Sequence, residues 1–387
     1  MLGSVRGVQL GVLSTFDTYP ESERGIARDR FAESLGLVRF AESLGIDSFW
    51  VTEHHFGTSG TLPSPPIWLA VAAERTCRIR LGALVAVLPL HNPRELAEQY
   101  ALVDRMSGGR LEIGVGSGYV GYEFWGLTKD PRSRRETMAA SLPEFVRALR
   151  GDPLDAPGAS EGFVRLNVLP LQRPHPPIWR AAGRRSSLQA IGESGDRLAL
   201  VPYASMTGAD ELRSWVEEYR RPVGRGAPVR VLVALHVYVG PHIRAATKAL
   251  QRFLDSRPRV YEQEASMRAG TELRNSDASD LVRSGLAIVG GSRDVRARLE
   301  HLRESGVTDV AGIFDFGGLP SAEVRASLAR YTEAVGTWVR RSEAPRSGGN
   351  VPRLRFTRGS PALEAAATFA LVSEPQGPLR SSVPYLR

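Results

Sequence analysis

Residues 79–116, IRLGALVAVLPLHNPRELAEQYALVDRMSGGRLEIGVG, carry the pattern that decides the fold. An apolar strand-like run covers Ile79 to Leu88, and a second one covers Leu111 to Gly116. Between them, Pro93 to Met106 has the apolar spacing of an amphipathic helix. A strand, a helix and a strand in this order predict a β-α-β unit with two parallel strands.

The same alternation extends over most of the chain. The remaining predicted strands are Val8 to Leu13, Ser48 to Glu53, Pro177 to Ala182, Leu198 to Val201, Val229 to Val239 and Asp309 to Phe314. Helical patterns lie at about 28–44, 66–76, 133–149, 186–193, 210–219, 243–254, 293–304 and 321–339. Eight strands, each followed by a helical pattern, predict a (β/α)8 TIM barrel. A doubly wound sheet of six or seven strands is the alternative that periodicity leaves open.

Three segments depart from the regular units. Residues 119–176 form a long connection rich in Gly, Pro and Asp, and about 257–284 add a polar helical stretch. Insertions in barrels usually lie on the catalytic face, so 119–176 is predicted to be a lid. Gly and Pro break all periodicity near the end of the chain. We therefore expect a barrel domain over 1–342 and a flexible tail over 343–387.

Composition excludes several classes of protein. Of the 387 residues, 50 are Lys or Arg and 42 are Asp or Glu, which gives a net charge of +8. Only Lys129 and Lys248 are lysines, and the arginines are spread over helices, so nucleic-acid binding is disfavoured. Cys77 is the single cysteine, which excludes a disulfide framework and a cysteine metal site. Without a signal peptide pattern or a long apolar run, the chain is expected to be cytoplasmic and not bound to a membrane.

The clearest candidate for chemistry is the segment 49–57, FWVTEHHFG, where a strand runs into three ionisable residues. Barrel enzymes place catalytic groups at the carboxyl ends of strands. Adjacent residues of a strand point to opposite sides, so His54 and His55 cannot both face the barrel axis. Histidine suits proton transfer near neutral pH, so one of the two is a site candidate beside Glu53 and the other is structural. Two buried structural histidines are the alternative, and no ligand spacing predicts a metal site.

Two further strand ends carry candidate binding residues. Gly116, Gly118 and Gly121 spell G-x-G-x-x-G, but the bulky aromatics that follow disfavour a dinucleotide site. A strand end that lets a flat ring approach the backbone, with Ser117 as a donor, is the better interpretation. Downstream, Gly183, Arg184, Arg185 and Ser186 precede a helix and could bind a phosphate. A helix cap with solvated arginines is the equal alternative.

In order along the chain, these stretches resemble the bacterial luciferase-like flavin monooxygenases. The similarity rests on WVTEHHF at 50–56, LGALVAVLPLHNP at 81–93, MSGGR at 106–110 and LEIGVGSG at 111–118. It continues through 177–195 and 290–310, and covers about residues 8–340. The combination of E-H-H-F, L-P-x-x-x-P and M-S-G-G-R at this spacing is specific. Residues 312–318, GIFDFGG, resemble members found in natural-product biosynthesis.

The resemblance implies a (β/α)8 barrel that binds reduced FMN, or F420 in one branch, at the carboxyl end of the strands. It implies that His54 serves in forming and using a flavin C4a-(hydro)peroxide. The peptide between Leu84 and Val85 falls where the family often has a cis bond against the isoalloxazine. Gly183, Arg184, Arg185 and Ser186 would hold the phosphate, with Gly116 and Ser117 near the cofactor. Some relatives have an arginine where this chain has Ser117, which transfers that charge to Arg184 or Arg185.

These features lead to one main hypothesis and two alternatives. The main hypothesis is a two-component monooxygenase that receives reduced FMN from a separate reductase and oxygenates an organic substrate, expected to be a secondary metabolite. Aromatic residues that could line the substrate cavity are Trp50, Tyr119, Tyr122, Phe124 and Trp125. The alternatives are an F420-dependent oxidoreductase and a non-catalytic flavin-binding subunit. Family analogy predicts a homodimer.

Overall fold

The computed structural model describes residues 7–19, 29–57, 60–224, 226–256 and 277–336. The expected tail 343–387 and most of the expected polar helix at 257–284 lie outside these residues. The described strands are β1 Gln9–Ser14, β2 Ser48–Val51, β3 Arg80–Val87, β4 Leu111–Gly116, β5 Leu154–Asp155, β6 Phe163–Val164, β7 Ile178–Ala181, β8 Arg197–Leu200, β9 Val231–Val239, β10 Ala287–Gly290 and β11 Asp309–Ile313.

The described α-helices follow the predicted pattern, with short additions in the loops. They are α1 Arg30–Ser43, α2 Pro65–Glu74, α3 Pro93–Met106, α4 Gly121–Gly126, α5 Arg134–Arg150, α6 Leu188–Ser194, α7 Pro202–Ser205, α8 Glu211–Arg220, α9 Ile243–Ser256, α10 Ala278–Arg283, α11 Ser292–Glu304 and α12 Ser321–Val335. No helix among the described residues is both long and apolar enough to cross a bilayer.

Eight parallel strands close into a barrel in the order β1, β2, β3, β4, β7, β8, β9 and β11, with β11 pairing back to β1. The barrel prediction is confirmed, and each of its eight strands overlaps a predicted strand. Three described strands were not predicted: β5 and β6 form a separate small sheet, and β10 pairs with β9 outside the ring. We call the carboxyl ends of these strands the mouth of the barrel and the amino ends its base.

The barrel interior is filled in layers. At the base, Arg80, Glu112 and Arg197 meet, and Glu112 accepts hydrogen bonds from Trp179 Nε1 at 2.5 Å and from Arg197 at 3.4 Å. Above this charged layer, Trp50 and Trp179 touch edge to face, with ring centroids 5.8 Å apart. These two residues belong to strands that are not neighbours in the sheet, so both rings lie inside the barrel. The interior is therefore a packed core and not a channel.

Glycines on the neighbouring strands make room for Trp50. A Cβ on Gly82 would lie 2.4 Å from the indole carbons, and one on Gly11 would lie 3.3 Å from the indole nitrogen. On the other side of β2, Phe49 stacks on Trp68 of α2 at 5.5 Å. Since side chains alternate along a strand, Trp50 fixes which residues of this segment face the axis.

The M-S-G-G-R motif has a structural role in this fold. Gly108 and Gly109 have φ of +67° and +80° and turn the chain from α3 into β4. The half-buried Arg110 guanidinium then donates to the carbonyl oxygens of Ala73, Thr76 and Ile79. These carbonyls lie at the end of α2 and the approach to β3, so the motif joins two consecutive units of the barrel.

The segment 119–176 only partly covers the mouth. Its helix α5 packs against α3 as an ordinary barrel helix. Beyond α5, the backbone nitrogens of Leu171 and Gln172 bind Asp104 at 2.8 and 2.9 Å, and Gln172 Nε2 donates to Leu111 O at 2.7 Å. Leu111 is the first residue of β4, so this part of the segment lies at the base. The lid prediction is wrong for this part of the segment, because α5 runs from the mouth to the base before it.

Candidate active site at the mouth of the barrel

The end of β2 presents Glu53, His54 and His55 at the mouth, as the sequence predicted. The two histidines have different partners: His54 Nδ1 lies 2.9 Å from Glu123 Oε1, and His55 Nε2 lies 3.0 Å from Glu53 Oε1. His54 thus contacts the segment that follows β4, whereas His55 contacts the carboxylate of its own segment.

Glu53 is a buried carboxylate with three donors. It is 2% exposed, and it accepts hydrogen bonds from His55, from His91 Nε2 at 2.7 Å and from Val87 N at 3.0 Å. Burial raises the pKa of this carboxyl, but the hydrogen bonds from His55 and His91 and the charge of His91 outweigh it and lower the pKa to about 2. Glu53 thus stays ionised at all ordinary pH values and holds the ends of β2 and β3 together.

Glu123 is a site residue that the sequence did not reveal. It lies on α4, is 1% exposed, and its Oε1 accepts from the backbone nitrogen of His55 at 3.1 Å as well as contacting His54. Residues 54 and 123 are 69 positions apart, and Glu123 stands among aromatic residues without a recognisable motif. Only the return of the chain after β4 over the end of β2 brings the two together.

Next to this cluster, β3 and β4 form a wall at the mouth. The peptide between Leu84 and Val85 is cis, as the resemblance implied, and the register of β3 against β4 shifts between Ala83 and Ala86. The wall needs two glycines on β4. A Cβ on Gly114 would lie 2.4 Å from Ala83 O, and one on Gly116 would lie 2.7 Å from Val85 Cγ2. Glycine at both positions lets the β3 backbone approach β4 closely.

The remaining residues of the G-x-G-x-x-G stretch have separate roles. Gly118 turns the chain with φ +70°, and Gly121 begins α4. Ser117 is half-buried beside the wall, and its Oγ lies 3.5 Å from Gly118 O, at the outer limit of a hydrogen bond. The stretch does not form a strand, tight turn and long helix of the dinucleotide type, because α4 has only six residues.

The two adjacent arginines after β7 point in different directions. Arg185 binds Glu218 Oε2 at 2.9 Å, contacts Ser214 and lies over the Trp215 ring, all on α8. Its guanidinium therefore has other partners than the expected phosphate. Gly183 and Ser186 are exposed, and nothing lies within 4 Å of a Cβ built on Gly183. Space for a ligand group thus exists next to Arg184.

Arg184 is close to a second arginine that the sequence analysis missed. Burial lowers the pKa of Arg184, and the nearby charge of Arg135, at the start of α5, lowers it further. Within the described residues, neither guanidinium forms an ion pair with a carboxylate. Two cations that feel each other's charge without a counter-ion repel each other, and a bound anion would offset that repulsion. The donor set fits a phosphate group.

The expected aromatic lining is divided between the core and the mouth. Trp50 lies in the barrel core, and Phe124 is buried against Val87 and Leu90, so neither is available to a ligand. Tyr119 and Trp125 are 37% and 51% exposed. Phe56, which was not among the predicted residues, is 68% exposed. It packs over Gly126, whose Cβ would lie 2.4 Å from the Phe56 ring.

A family model described as luciferase-like monooxygenase matches residues 8–309. The chain is 31% identical over 323 residues to the uncharacterized protein y4wF of Sinorhizobium fredii. The aligned region covers 79% of this chain and 90% of that one. It is 41% identical over 118 residues to 4-hydroxyprotoasukamycin monooxygenase of Streptomyces nodosus subsp. asukaensis, covering 30% of this chain and 32% of that one. The oxygenase component of a flavin-dependent trigonelline monooxygenase of Acinetobacter baylyi is 28% identical over 185 residues, 47% of this chain and 51% of that one.

Solved structures share the fold. Monooxygenase RslO1 from Streptomyces bottropensis superposes with a TM-score of 0.72 at 24% identity, covering 84% of this chain and 98% of that one. The oxygenating constituent of 3,6-diketocamphane monooxygenase of Pseudomonas putida, in complex with FMN, gives 0.67 at 18% identity, with 85% and 98% covered. An F420-dependent secondary alcohol dehydrogenase gives 0.63 at 16% identity, with 85% and 99% covered. At these identities the superpositions establish the fold alone.

Proposed function

Since the chain belongs to the luciferase-like monooxygenase family, we propose that it is the oxygenase of a two-component monooxygenase that uses reduced FMN and O2. One observation carries the proposal: His54 follows the end of β2, the cis peptide Leu84–Val85 lies in β3, and Arg184, whose pKa Arg135 lowers, follows the end of β7. A flavin has a flat ring, which suits the wall and His54, and an anionic phosphate, which suits the two arginines.

The phosphate of FMN fits the two arginines that lack a carboxylate partner. Arg184 and Arg135 would hold it, with the backbone at Gly183 and the Ser186 hydroxyl as further donors. A charged hydrogen bond contributes about 1.5 to 3 kcal/mol. We therefore expect Arg184→Ala to weaken binding of reduced FMN by about 10- to 100-fold.

The flat ring fits against the wall of β3 and β4. Leu84 and Val85 would contact the isoalloxazine. Gly116 and Ser117 would face the ribityl part of the flavin, which links the ring to the phosphate. When it is bound, the reduced flavin supplies the electrons that activate O2. The protein residues bind it, orient it and keep water away.

His54 would accept or release a proton at the reacting end of the ring. It follows the end of β2 with a half-buried ring, and its Nδ1 contact with Glu123 would leave Nε2 for the ligand side. Glu53 would not meet the cofactor, because its oxygens already accept from His55, His91 and Val87. Its part is to hold the strand ends that present His54.

The substrate is proposed to be an apolar organic molecule, of the kind found in secondary metabolism. Phe56, Tyr119 and Trp125 expose aromatic surface around the entrance. Exposed aromatic rings that surround a polar centre favour planar or hydrophobic ligands. A natural-product monooxygenase among the relatives supports this class.

Reduced FMN is proposed to come from a separate reductase in the cytoplasm. The trigonelline enzyme among the relatives is named as an oxygenase component, a name that implies a second component. The experiment that tests the cofactor is an anaerobic titration of the protein with reduced FMN and, in parallel, with reduced F420. Tight binding of reduced FMN that Arg184→Ala weakens supports the proposal, whereas binding of reduced F420 alone would replace it with an F420-dependent oxidoreductase.

A homodimer is proposed from an apolar surface on two adjacent helices. Ile67 and Val71 of α2 are 70% and 39% exposed, and Leu102 and Met106 of α3 are 52% and 41% exposed. Each pair is one helical turn apart, and α2 packs beside α3, so two neighbouring helices each expose an apolar pair. Exposed apolar side chains on neighbouring helices are typical of an interface. Sedimentation should show a dimer that Ile67→Glu with Leu102→Glu converts to a monomer.

A further inference from the structure

Glu123 has the geometry of a residue that acts through His54. Its Oε1 lies 2.9 Å from His54 Nδ1 and 3.1 Å from His55 N, and the side chain is 1% exposed. A buried carboxylate needs donors for its lone pairs, and these two satisfy one of its oxygens. The contact therefore fixes both groups and is not a chance encounter at the surface.

We propose that Glu123 is the positioning residue that sets the tautomer and orientation of His54, an inference that rests on the function proposed above. An ionised carboxylate only accepts hydrogen bonds, so the His54 atom facing it must be the protonated Nδ1. Neutral imidazole carries one N–H, so Nε2 is then the unprotonated nitrogen. It is Nε2 that is left to exchange a proton at the mouth. The same logic orients metal-bound and catalytic histidines in other sites.

Two other contacts hold the ring in this orientation. A Cβ on Gly60 would lie 2.4 Å from His54 Cδ2, so the backbone there packs directly on one side of the imidazole. Tyr119 meets the ring edge to face, with centroids 6.1 Å apart. Packing limits how the ring can turn, and the Glu123 carboxylate then selects which nitrogen carries the proton.

The other carboxylate of the site cannot take over this role. Glu53 is occupied by His55, His91 and Val87 N. Glu123 also comes from a different element, since it lies on α4 in the segment that follows β4. The Glu123 side chain therefore links the position of α4 to the position of the proton on His54.

The experiment compares Glu123→Ala and Glu123→Gln with a matched control, Glu161→Gln. Glu161 is an exposed carboxylate later in the same connection between β4 and β7. The readout is ¹⁵N NMR of the histidine rings without any cofactor, at about pH 8.5, where ordinary histidine is neutral. The wild type and the control should show His54 with the proton on Nδ1. The amide oxygen of Gln can still accept this proton, so Glu123→Gln should keep the tautomer, whereas Glu123→Ala should release it toward Nε2–H.

A second readout links the tautomer to the flavin reaction. With reduced FMN bound, the single-turnover rate of its reaction with O2 should change about 10-fold or more in Glu123→Ala, while affinity for reduced FMN changes less than about threefold. The combined His54→Ala and Glu123→Ala variant should change no further than His54→Ala alone, because Glu123 acts only through His54.

Two results would overturn the inference. One is a His54 ring in Glu123→Ala that keeps its proton on Nδ1, and the other is an effect of Glu123→Ala that adds fully to that of His54→Ala. If Glu123→Ala fails to fold, a His54 ring with its proton on Nε2 in the wild type or in Glu123→Gln would equally contradict the inference. The NMR readout needs no flavin, so a failure of the proposed cofactor leaves the tautomer result standing.

Discussion

The base and the mouth of the barrel treat their charges in opposite ways. At the base, Arg230 binds Asp309 at 2.5 Å, and Glu112 meets both Arg80 and Arg197, so both of these carboxylates pair with arginines. At the mouth, within the described residues, Arg184 and Arg135 have no carboxylate partner. Paired charges need no further partner, whereas the two arginines at the mouth are the proposed site of the phosphate. This follows the general division of such barrels into a stability face and an active face.

The largest effect is expected at the base. Replacing Glu112 by Gln leaves Arg80 and Arg197 without their shared carboxylate inside the barrel, and breaking a buried pair costs about 3 to 5 kcal/mol. Urea denaturation should show this loss in the free energy of unfolding. Glu304→Gln, at the exposed end of α11, is the control and should change it by less than about 0.5 kcal/mol. An equal effect of both variants would show that the charged layer does not hold the base together.

Replacing His54 by Ala should separate function from stability at the mouth. Loss of a positioned proton donor or acceptor lowers rates by about 100-fold or more. Formation of oxygenated product with reduced FMN should fall by that factor, while the free energy of unfolding changes by about 1 kcal/mol or less. His242→Ala, an exposed histidine before α9, serves as the control. Unchanged product formation in His54→Ala would favour a non-catalytic flavin-binding subunit.

A smaller effect is expected at Asp315, which follows β11 at the mouth. Burial raises the pKa of Asp315 to about 6, although a hydrogen bond from Ser14 Oγ at 2.5 Å and the charge of Arg30 lower it in part. Ser14, Arg30 and Asp315 line a cavity of about 120 Å³ between α1 and α12. A raised pKa means that the folded state binds the proton more tightly than the unfolded state does.

The pH dependence of stability follows from this sign. The contribution of Asp315 is fully present below pH 3.8, the ordinary value, and is lost as the pH rises through about 6. Over this range the wild type should lose about 2 to 3 kcal/mol relative to Asp315→Asn. Chemical denaturation at several pH values measures the difference. A constant difference between the two proteins from pH 4 to pH 8 would show that Asp315 does not titrate in this window.

The fold was predictable because its signal is local and repeated. All eight barrel strands follow from apolar runs and the helices between them, as in residues 79–116. β10 was missed because it ends in Gly290, directly before Gly291, and lies outside the ring. The lid was misplaced in part because loop composition does not reveal which end of a barrel a segment reaches.

The site was predictable only where one segment contains it. Glu53 and His54 directly follow the end of one strand, so the segment 49–57 was enough to predict them. By contrast, Glu123 and Arg135 come from helices distant in sequence and have no motif. Neighbouring arginines at 184 and 185 look alike in sequence, and only the position of α8 shows that Arg185 has partners in Ser214 and Glu218.

The most direct test of the account is a crystal structure of the protein with reduced FMN bound. The account predicts the phosphate within about 4 Å of both the Arg184 and Arg135 guanidinium groups, the distance of an ion pair. It predicts the isoalloxazine against Leu84 and Val85, with His54 Nε2 on the ring side. A flavin bound elsewhere on the chain, or a phosphate remote from both arginines, would contradict it.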